Sequence, residues 1–194
     1  MNITHLLTEH LSGPYKRRPT TSLIKLWLGA DIDINQSMAI QFGNKYEEAL
    51  NAILENTTNV EAISTSEAKI YITNSGEITQ KARGNKDVDI LFKIGNTVYY
   101  RECKCNLQLD SEKARETARK VERIAGLLEG TYPGCHINAA IVNMEWTGNR
   151  SDMRGVKIEY MNEFFDRLGA SMTEGEYESL GKEIGRRISD ATSS

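Results

Sequence analysis

The sequence predicts an α/β fold with a central mixed β-sheet flanked by helices, and three observations favour it. Short alternating or β-branched segments, separated by turn residues, fill the middle of the chain at 60–105. Apolar residues at helical spacing form a single stripe in 35–56 and again in 111–129, on either side of that region. From residue 137 onwards strand and helix patterns alternate, which is typical of a sheet covered by helices.

Size and composition predict a single domain, residues 1–194. Within it we expect an N-terminal helical segment at 1–34, a core at 35–168, and a C-terminal helix with a polar tail at 169–194. No apolar run approaches the length of a membrane span, and the N-terminus lacks the layout of a signal peptide. The three cysteines are an odd number, so we expect a reducing, cytoplasmic setting.

The first half of the chain predicts helices followed by short strands. An amphipathic helix is expected at 3–11, and a second helix, capped by Thr20 or Thr21, is expected to end at Leu28. A long helix at 35–56 comes next. Three short strands follow at 60–64, 69–73 and 78–82, with a turn at Asn74-Ser75-Gly76.

The second half predicts a hairpin and then alternating helices and strands. The hairpin occupies 87–105, and the helix at 111–129 has Asp110 or Ser111 as its N-cap. The remaining elements are a strand at 137–146, a polar loop at 147–155, a strand at 156–160, and helices at 161–168 and about 173–189.

The register of the hairpin follows from its turn. Gly95-Asn96 is a two-residue hairpin signal, so the flanking strands pair outward from it. That register pairs Leu91 with Tyr100, Asp89 with Glu102, and Asp87 with Lys104. Because side chains alternate along a strand, Tyr100, Glu102 and Lys104 share one face, and acids and a lysine meet at its end.

Asp89 and Glu102 form an unfavourable pair unless a positive charge lies between them. Side chains directly opposite across antiparallel strands have Cβ atoms roughly 4.5–5.5 Å apart, and like charges there are destabilising. A divalent cation suits two carboxylates. Lys104 is then expected to orient or deprotonate a water, or to stabilise a charged phosphate. The alternative is a partly solvated strand end with scattered charges.

At these residues the chain resembles the PD-(D/E)xK nuclease superfamily, which includes the restriction endonucleases. Its signature is an acid on one strand and an acid–any–Lys triplet on the next, here Asp89 and Glu102-Cys103-Lys104. Upstream, Gly43-Asn44-Lys45-Tyr46-Glu47 is similar to the Gly-x-x-aromatic-Glu of its leading helix. The resemblance covers about residues 38–168 and implies a restriction-endonuclease-like core with extra N-terminal helices and a C-terminal helix.

The resemblance implies roles for individual residues. Asp89 and Glu102 would bind one or two Mg²⁺ ions together with the backbone carbonyl of Cys103. Lys104 would position the attacking water, and Glu47 would be an auxiliary acid, with Glu48 as the alternative.

The proline that names the motif is absent, and Lys86-Asp87-Val88-Asp89 stands in its place. Two aspartates are therefore candidates for the first acid. Asp89 is preferred because it faces Glu102 in the derived register and precedes an apolar run. Asp87 is then an accessory acid that would pair with Lys104.

The resemblance further implies hydrolysis of DNA to 5′-phosphate and 3′-hydroxyl ends. The leading interpretation is a type II restriction endonuclease or its catalytic subunit. One active site per chain means that cutting both strands of double-stranded DNA requires a homodimer or a second nuclease or recognition subunit. Arg186 and Arg187 on the last helix, and the N-terminal helices, are candidates for such a contact. The alternatives are a structure-specific repair or recombination nuclease, similar to a junction resolvase, and a non-catalytic DNA-binding relative.

The net charge of −3 restricts phosphate contacts to local patches. Lys16, Arg17 and Arg18 form one candidate patch, where a solvated loop is an equal interpretation. Arg150 and Arg154 in the loop at 147–155 would read base edges, or the loop is an ordinary polar connection.

Cysteine and histidine residues suggest an alternative metal site. Its four ligands would be Cys103, Cys105, Cys135 and His136. The C-x-C spacing is a poor match to the usual zinc spacings. Small buried cysteines on the helix-packed face of the sheet explain the same residues.

Overall fold

The computed structural model describes residues 2–12, 27–29 and 36–193 of the chain. Its helices are α1 (Ile3–Leu11), α2 (Gln36–Glu55), α3 (Ser111–Thr131), α4 (Met161–Arg167) and α5 (Glu174–Ser193). Its strands are β1 (Glu61–Ala62), β2 (Ile70–Ile72), β3 (Ile78–Thr79), β4 (Lys86–Val88), β5 (Ile90–Ile94), β6 (Thr97–Lys104), β7 (His136–Asn143), β8 (Asp152–Met153) and β9 (Val156–Glu159). The predicted helix that ends at Leu28 lies outside the described residues, apart from Trp27 and Leu28, which are helical. Among the described helices, none has the length and apolar character that crossing a membrane requires.

The central sheet is mixed, as predicted. In the described residues its strands follow the order β1-β5-β6-β7-β9-β8. Strands β5 and β6 are antiparallel, whereas β7 runs parallel to both β6 and β9. Parallel neighbours need a crossover connection, and α3 supplies it between β6 and β7. The side chain of Asp110 caps α3 by accepting a hydrogen bond from the N–H of Lys113 at 2.9 Å.

The predicted hairpin register is confirmed over the length of β5. Ile94 pairs with Thr97, Leu91 with Tyr100, and Ile90 with Arg101. Gly95 adopts a φ of 57°, which a residue without a Cβ takes at low cost, and so closes the two-residue turn. Side chains that alternate along β6 therefore keep the faces that the sequence predicts.

A second sheet, with the order β3-β2-β4, corrects the first strand of the hairpin. That strand is interrupted at Asp89, and residues before it pair with β2 instead of β6. Asp87 lies opposite Tyr71, so its predicted pairing with Lys104 is wrong. The physical reason is burial: Val88 pairs with Ile70, and both side chains enter the apolar cluster of Leu91 and Tyr100. In a continuous hairpin, strand alternation would direct Val88 to the opposite face, with Ile90 and Phe92.

The central sheet carries an apolar layer on each face. Phe92 and Cys103 face the layer formed with α1, α2, α4 and α5. Leu91 and Tyr100 face the other layer, which α3 and the second sheet complete. The odd–even alternation of β5 and β6 thus directs one set of side chains to each layer.

Helix α5 packs closely against residues 27–29. A Cβ added at Gly181 would collide with the carbonyl oxygen of Trp27, and one added at Gly185 would collide with that of Leu28. The two glycines therefore allow the backbones to approach.

Several element boundaries differ from the prediction. Strand β7 ends at Asn143 instead of 146, because the carbonyls of Glu145 and Trp146 accept hydrogen bonds from the first N–H groups of α4. Helix α5 continues to Ser193 instead of ending near 189, so most of the expected polar tail is helical. Strands β1, β2 and β3 are shorter than predicted.

A buried ion pair that the sequence pattern did not indicate joins β6 to β9. Arg101 donates to the carboxylate of Glu159 from Nε at 2.5 Å and from Nη2 at 3.3 Å, and both side chains are almost fully buried. Arg167 of α4 donates to the same carboxylate from Nε at 2.9 Å. Two guanidinium groups therefore neutralise one carboxylate inside the fold, on the face opposite Tyr100 and Glu102.

Candidate active site

The candidate site lies where β6 extends past the end of β5. Asp89 occupies the bend between β4 and β5, and Glu102 and Lys104 share one face of β6. Helices α2 and α3 flank this point and contribute Glu47 and Lys120. We call Asp87, Asp89 and Glu102 the acid cluster.

Asp89 takes the place of a strand partner for β6. Its Oδ2 accepts a hydrogen bond from the N–H of Cys103 at 2.9 Å. Its own backbone carbonyl accepts one from Nδ2 of Asn51 at 3.1 Å. Because the N–H and C=O of one extended residue point to the same side of a strand, the carbonyl of Cys103 also lies on the Asp89 side of β6.

The carboxylate of Glu102 is almost fully buried and receives donors at both oxygens. Its Oε1 contacts Nζ of Lys104 at 2.8 Å. Its Oε2 accepts from the hydroxyl of Tyr100 at 2.8 Å and contacts Nζ of Lys120 at 2.6 Å. The two lysines therefore hold Glu102 from opposite sides.

Lys120 is the site residue that sequence reasoning missed. Besides Glu102, its Nζ contacts Asp87 at 3.1 Å and Asp89 at 3.5 Å, so all three carboxylates of the acid cluster meet on one ammonium. A signal was present in the sequence, because Lys120 borders the apolar stripe of α3 next to Val121. A lysine at the edge of a buried stripe faces the sheet, whereas one on the opposite side of the helix faces solvent.

Charge and burial shift the two central carboxyls in opposite directions. Burial, and then the negative charge of Glu102, raise the pKa of Asp89 to about 8. Burial acts in the same direction on Glu102, but Lys104 and Lys120 outweigh it and lower the pKa of that carboxyl. Burial would lower the pKa of both lysines, yet the neighbouring carboxylates outweigh it and raise them. Asp89 therefore holds its proton near neutral pH unless a further positive charge comes close to it.

Glu47 lies near the acid cluster on α2. Burial raises the pKa of its carboxyl, partly offset by the ammonium groups of Lys69 and Lys104. Lys69 approaches it at 3.5 Å. Both Glu47 and Glu48 line a narrow cleft that also includes Asp87 and Asp89. The structure therefore brings the predicted auxiliary acid to the same cleft as Asp87 and Asp89.

Asn51 and Ser64 hold the backbone around Asp89. Oγ of Ser64 donates to Oδ1 of Asn51 at 2.5 Å and accepts from the N–H of Leu91 at 2.7 Å. Nδ2 of Asn51 donates to the carbonyls of Glu47 at 3.0 Å and Asp89. This buried network connects α2 to the start of β5 and fixes the position of Glu47 relative to Asp89.

The donor chemistry of the site fits a hard divalent cation. The carboxylates of Asp89 and Glu102 converge on one positive group, with the Cys103 carbonyl on the same side of the strand. Oxygen donors of this kind are those that Mg²⁺ prefers. In the part of the chain that the structure describes, no group of three or more Asp, Glu, His or Cys side chains is arranged to hold a metal ion. A cation would therefore depend on two carboxylates, backbone oxygen and water.

The alternative zinc site is wrong, because its ligands lie at opposite ends of the sheet. His136 pairs with Thr97 beside the hairpin turn, and Sγ of Cys135 lies 3.6 Å from Oδ1 of Asn96. Cys103 pairs with Val142 at the other end of the same ladder. All three cysteines are free thiols.

The predicted DNA-contacting residues have different surroundings. Lys16, Arg17 and Arg18 lie outside the described residues. The guanidinium of Arg150 donates to the carbonyls of Asp152 at 3.0 Å and Leu107 at 3.2 Å, so it holds the loop together.

Arg154 is exposed in the turn between β8 and β9, where its φ is 57°. Arg186 and Arg187, the candidates for a dimer contact, both pair with Glu183 of their own helix.

A basic loop next to the acid cluster was also missed. Lys81, Arg83 and Lys86 are exposed, and no acid occurs between Glu77 and Asp87. Lys86 is also the first residue of β4, so the basic loop runs directly into that strand. The signal was the spacing of basic residues in K-A-R-G-N-K, which strand patterning alone does not weigh.

No protein-family model matches the chain, and no curated protein matches it. Among solved structures, the chain is similar to the small subunit of the heterodimeric restriction endonuclease R.BspD6I, with 12% sequence identity and a TM-score of 0.37. That likeness covers 77% of this chain and 85% of the other. The resemblance to the nuclease superfamily therefore stays a prediction, and the functional inference rests on the side chains of this chain.

Proposed function

We propose that this protein is a divalent-cation-dependent nuclease that hydrolyses phosphodiester bonds in DNA. One observation carries the proposal: the buried carboxylates of Asp89 and Glu102 converge on a single ammonium, and Lys104 lies against Glu102. Buried acids brought together in this way are costly unless they serve a cation or a reaction.

Asp89, Glu102 and the backbone carbonyl of Cys103 would hold Mg²⁺. When bound, the ion would supply Lewis acidity and lower the pKa of a coordinated water. The hydrogen bond from the N–H of Cys103 keeps Asp89 oriented toward β6. The buried network of Asn51 holds the backbone of Asp89 in place, so the ligands are ordered in advance.

Lys104 and Glu47 would act on the substrate and the water. Lys104 is about a quarter exposed, so its ammonium is held by Glu102 and is still open toward solvent. From there it would orient the attacking water and stabilise negative charge on the phosphate. Glu47 would accept a hydrogen bond from that water or from a second coordinated water.

A type II restriction endonuclease, or the catalytic subunit of one, is the form of this function that we propose. The acid cluster provides a single site per chain, so cleavage of both strands of duplex DNA would require a homodimer or a second subunit. The exposed basic loop of Lys81, Arg83 and Lys86 would contact the phosphates next to the site. The products would be 5′-phosphate and 3′-hydroxyl ends.

Plasmid digestion tests the proposal. Supercoiled plasmid and phage DNA are incubated with Mg²⁺ or Mn²⁺ and with wild type, Asp89→Asn, Lys104→Ala or the control Lys113→Ala. Lys113 is an exposed lysine on α3 that contacts Asp110 and lies outside the acid cluster, so we expect Lys113→Ala to leave cleavage unchanged. The expected result is cation-dependent cleavage that Asp89→Asn and Lys104→Ala reduce by at least about 100-fold.

The pattern of products distinguishes the forms of the function. Discrete bands indicate a sequence-specific enzyme, nicking alone indicates a missing second subunit, and cleavage of only branched DNA indicates a structure-specific nuclease. Absence of cleavage on duplex, single-stranded and branched DNA with either cation would overturn the catalytic proposal and leave a DNA-binding protein.

A further inference from the structure

We infer that Lys120 is a resident counter-ion of the acid cluster, which a divalent cation displaces when it binds Asp89 and Glu102; this rests on the proposed function. Nζ of Lys120 lies 2.6 Å from Glu102, 3.1 Å from Asp87 and 3.5 Å from Asp89. The ammonium therefore stands at the point on which the cluster converges.

The charges of the site show why the ammonium and the cation compete. Three carboxyl groups share two ammonium groups, those of Lys104 and Lys120. Lys104 reaches only Oε1 of Glu102, whereas Lys120 contacts Oε2 and also Asp89. A divalent cation held by these oxygens would bring a like charge next to the Lys120 ammonium.

Asp87 offers Lys120 a second position. Its side chain is 55% exposed, whereas those of Asp89 and Glu102 are 7% and 4% exposed. A lysine that left the two inner carboxylates would keep its ion pair with Asp87 at the rim of the cluster. Its ammonium would then lie on the solvent side, where a phosphate approaches.

The move involves the side chain alone. Val121 and Ile124 of α3 are fully buried against the sheet, so the backbone at Lys120 is held. The lysine side chain has four rotatable methylenes, and about a fifth of it is exposed. Lys120 is thus a positioning residue that keeps the acids paired in the absence of a cation and releases them to it.

Cation binding and thermal unfolding test this inference without any cleavage assay. Lys120→Met keeps an unbranched side chain that is one atom shorter, and removes its charge. Lys69→Met is the matched control, because Lys69 lines the cleft of Asp87 and Asp89 but contacts Glu47 and Asn44 instead of Asp89 or Glu102. Affinity for Mn²⁺ and Mg²⁺ is measured by calorimetry, and the melting temperature is measured in chelator and in excess Mg²⁺.

We expect Lys120→Met to raise cation affinity by about tenfold or more. The repulsion between like charges a few ångströms apart near a protein surface corresponds to more than a tenfold change in affinity. In chelator its melting temperature falls by about 3 °C or more, because the acids lose a partner, and excess Mg²⁺ restores it. Lys69→Met changes the affinity by less than about threefold. Lys120→Gln, which keeps hydrogen-bond donors without the charge, serves as a second variant and shows the same direction.

Two outcomes overturn the inference, and they are distinguishable. If Lys120→Met and Lys120→Gln bind the cation no more tightly than wild type does, Lys120 does not compete, while the proposed metal site stands. If neither wild type nor any variant binds Mn²⁺ or Mg²⁺ at millimolar concentration, the metal site of the proposed function fails as well.

Discussion

The carboxylate of Asp89 accepts a hydrogen bond from the backbone N–H of Cys103 at 2.9 Å. Strand β5 pairs with β6 only as far as Ile90 and Arg101, so the side chain of Asp89 satisfies a donor that would otherwise face a missing strand. The other oxygen of the same carboxylate is directed to Lys120. The side chain of Asp89 thus binds a backbone donor where the β5–β6 ladder stops, and it also belongs to the acid cluster.

This double role predicts that Asn and Ala differ at position 89. Asp89→Asn keeps an acceptor for the Cys103 N–H and removes the charge, whereas Asp89→Ala leaves that buried donor unpaired. We expect the alanine variant to be less stable than the asparagine variant by about 1–3 kcal/mol, and both to lose cation binding. Urea unfolding in chelator measures the difference, and equal stability of the two variants would contradict the proposed role of the hydrogen bond.

Asn51 is expected to be essential for stability although it lies outside the catalytic set. Replacing it with alanine removes the 2.5 Å acceptor of Oγ of Ser64, which then keeps only its bonds with Leu91, and removes the amide donor to the carbonyl of Asp89. We expect Asn51→Ala to lower the free energy of unfolding by about 2 kcal/mol or more.

Asn56→Ala is the control for this substitution. It removes another asparagine whose amide donates to the carbonyl four residues earlier, at 2.8 Å from Ala52, but its side chain is exposed. We expect it to cost less than about 1 kcal/mol. Chemical denaturation of both variants measures the difference. A similar loss of unfolding free energy in both would show that the network around Asp89 stabilises the fold no more than one exposed hydrogen bond does.

The buried carboxylate of Glu159 predicts a pH dependence of stability. Burial would raise its pKa, but Arg101 and Arg167 outweigh that effect and lower it. A lowered pKa in the folded state means that the ion pairs stabilise the fold fully above the unfolded pKa of about 4.3, and that this contribution is lost as pH falls through the folded pKa.

Glu159→Gln tests that sign. At pH 7 it should lower the free energy of unfolding by about 3 kcal/mol, because Arg101 remains buried without a charged partner. The difference in free energy of unfolding between wild type and variant should become smaller as pH falls below about 4, where the wild-type carboxylate takes up its proton. Urea midpoints measured from pH 7 downward check both statements, and a constant gap across that range would refute them.

The basic loop before β4 predicts salt-dependent binding to DNA. In an Asp89→Asn background, replacing Lys81, Arg83 and Lys86 with glutamine should weaken duplex binding. The slope of log K against log salt should fall by about 0.9 for each phosphate that the variant no longer neutralises. Fluorescence anisotropy between about 50 and 200 mM salt gives that slope.

Arg150→Gln is the matched comparison for the loop. Its guanidinium already donates to two backbone carbonyls, so we expect it to lower stability and to leave the salt slope unchanged. If the salt slope falls for Arg150→Gln and is unchanged for the loop variant, the DNA-binding surface lies at the segment 147–155 instead.

Local patterns were sufficient to predict much of the architecture. Each useful signal involved residues close together in the sequence: the apolar stripes of α2 and α3, the cap at Asp110, and the Gly95-Asn96 turn. The hairpin register follows from the turn by counting outward. Because that register places Glu102 and Lys104 on one face, this part of the site was predictable from the sequence.

Tertiary packing decided the rest. The bend at Asp89 arises because Val88 is buried against a strand 18 residues away in the pairing with Ile70, and an alternating pattern does not state which sheet a strand joins. Lys120 reaches Asp89 across 31 residues, and Arg101 reaches Glu159 across 58. Sequence periodicity places Lys120 at the edge of the apolar stripe of α3, but it does not state which buried groups the side chain contacts. That choice depends on how α3 lies over the sheet, and so it belongs to the tertiary structure.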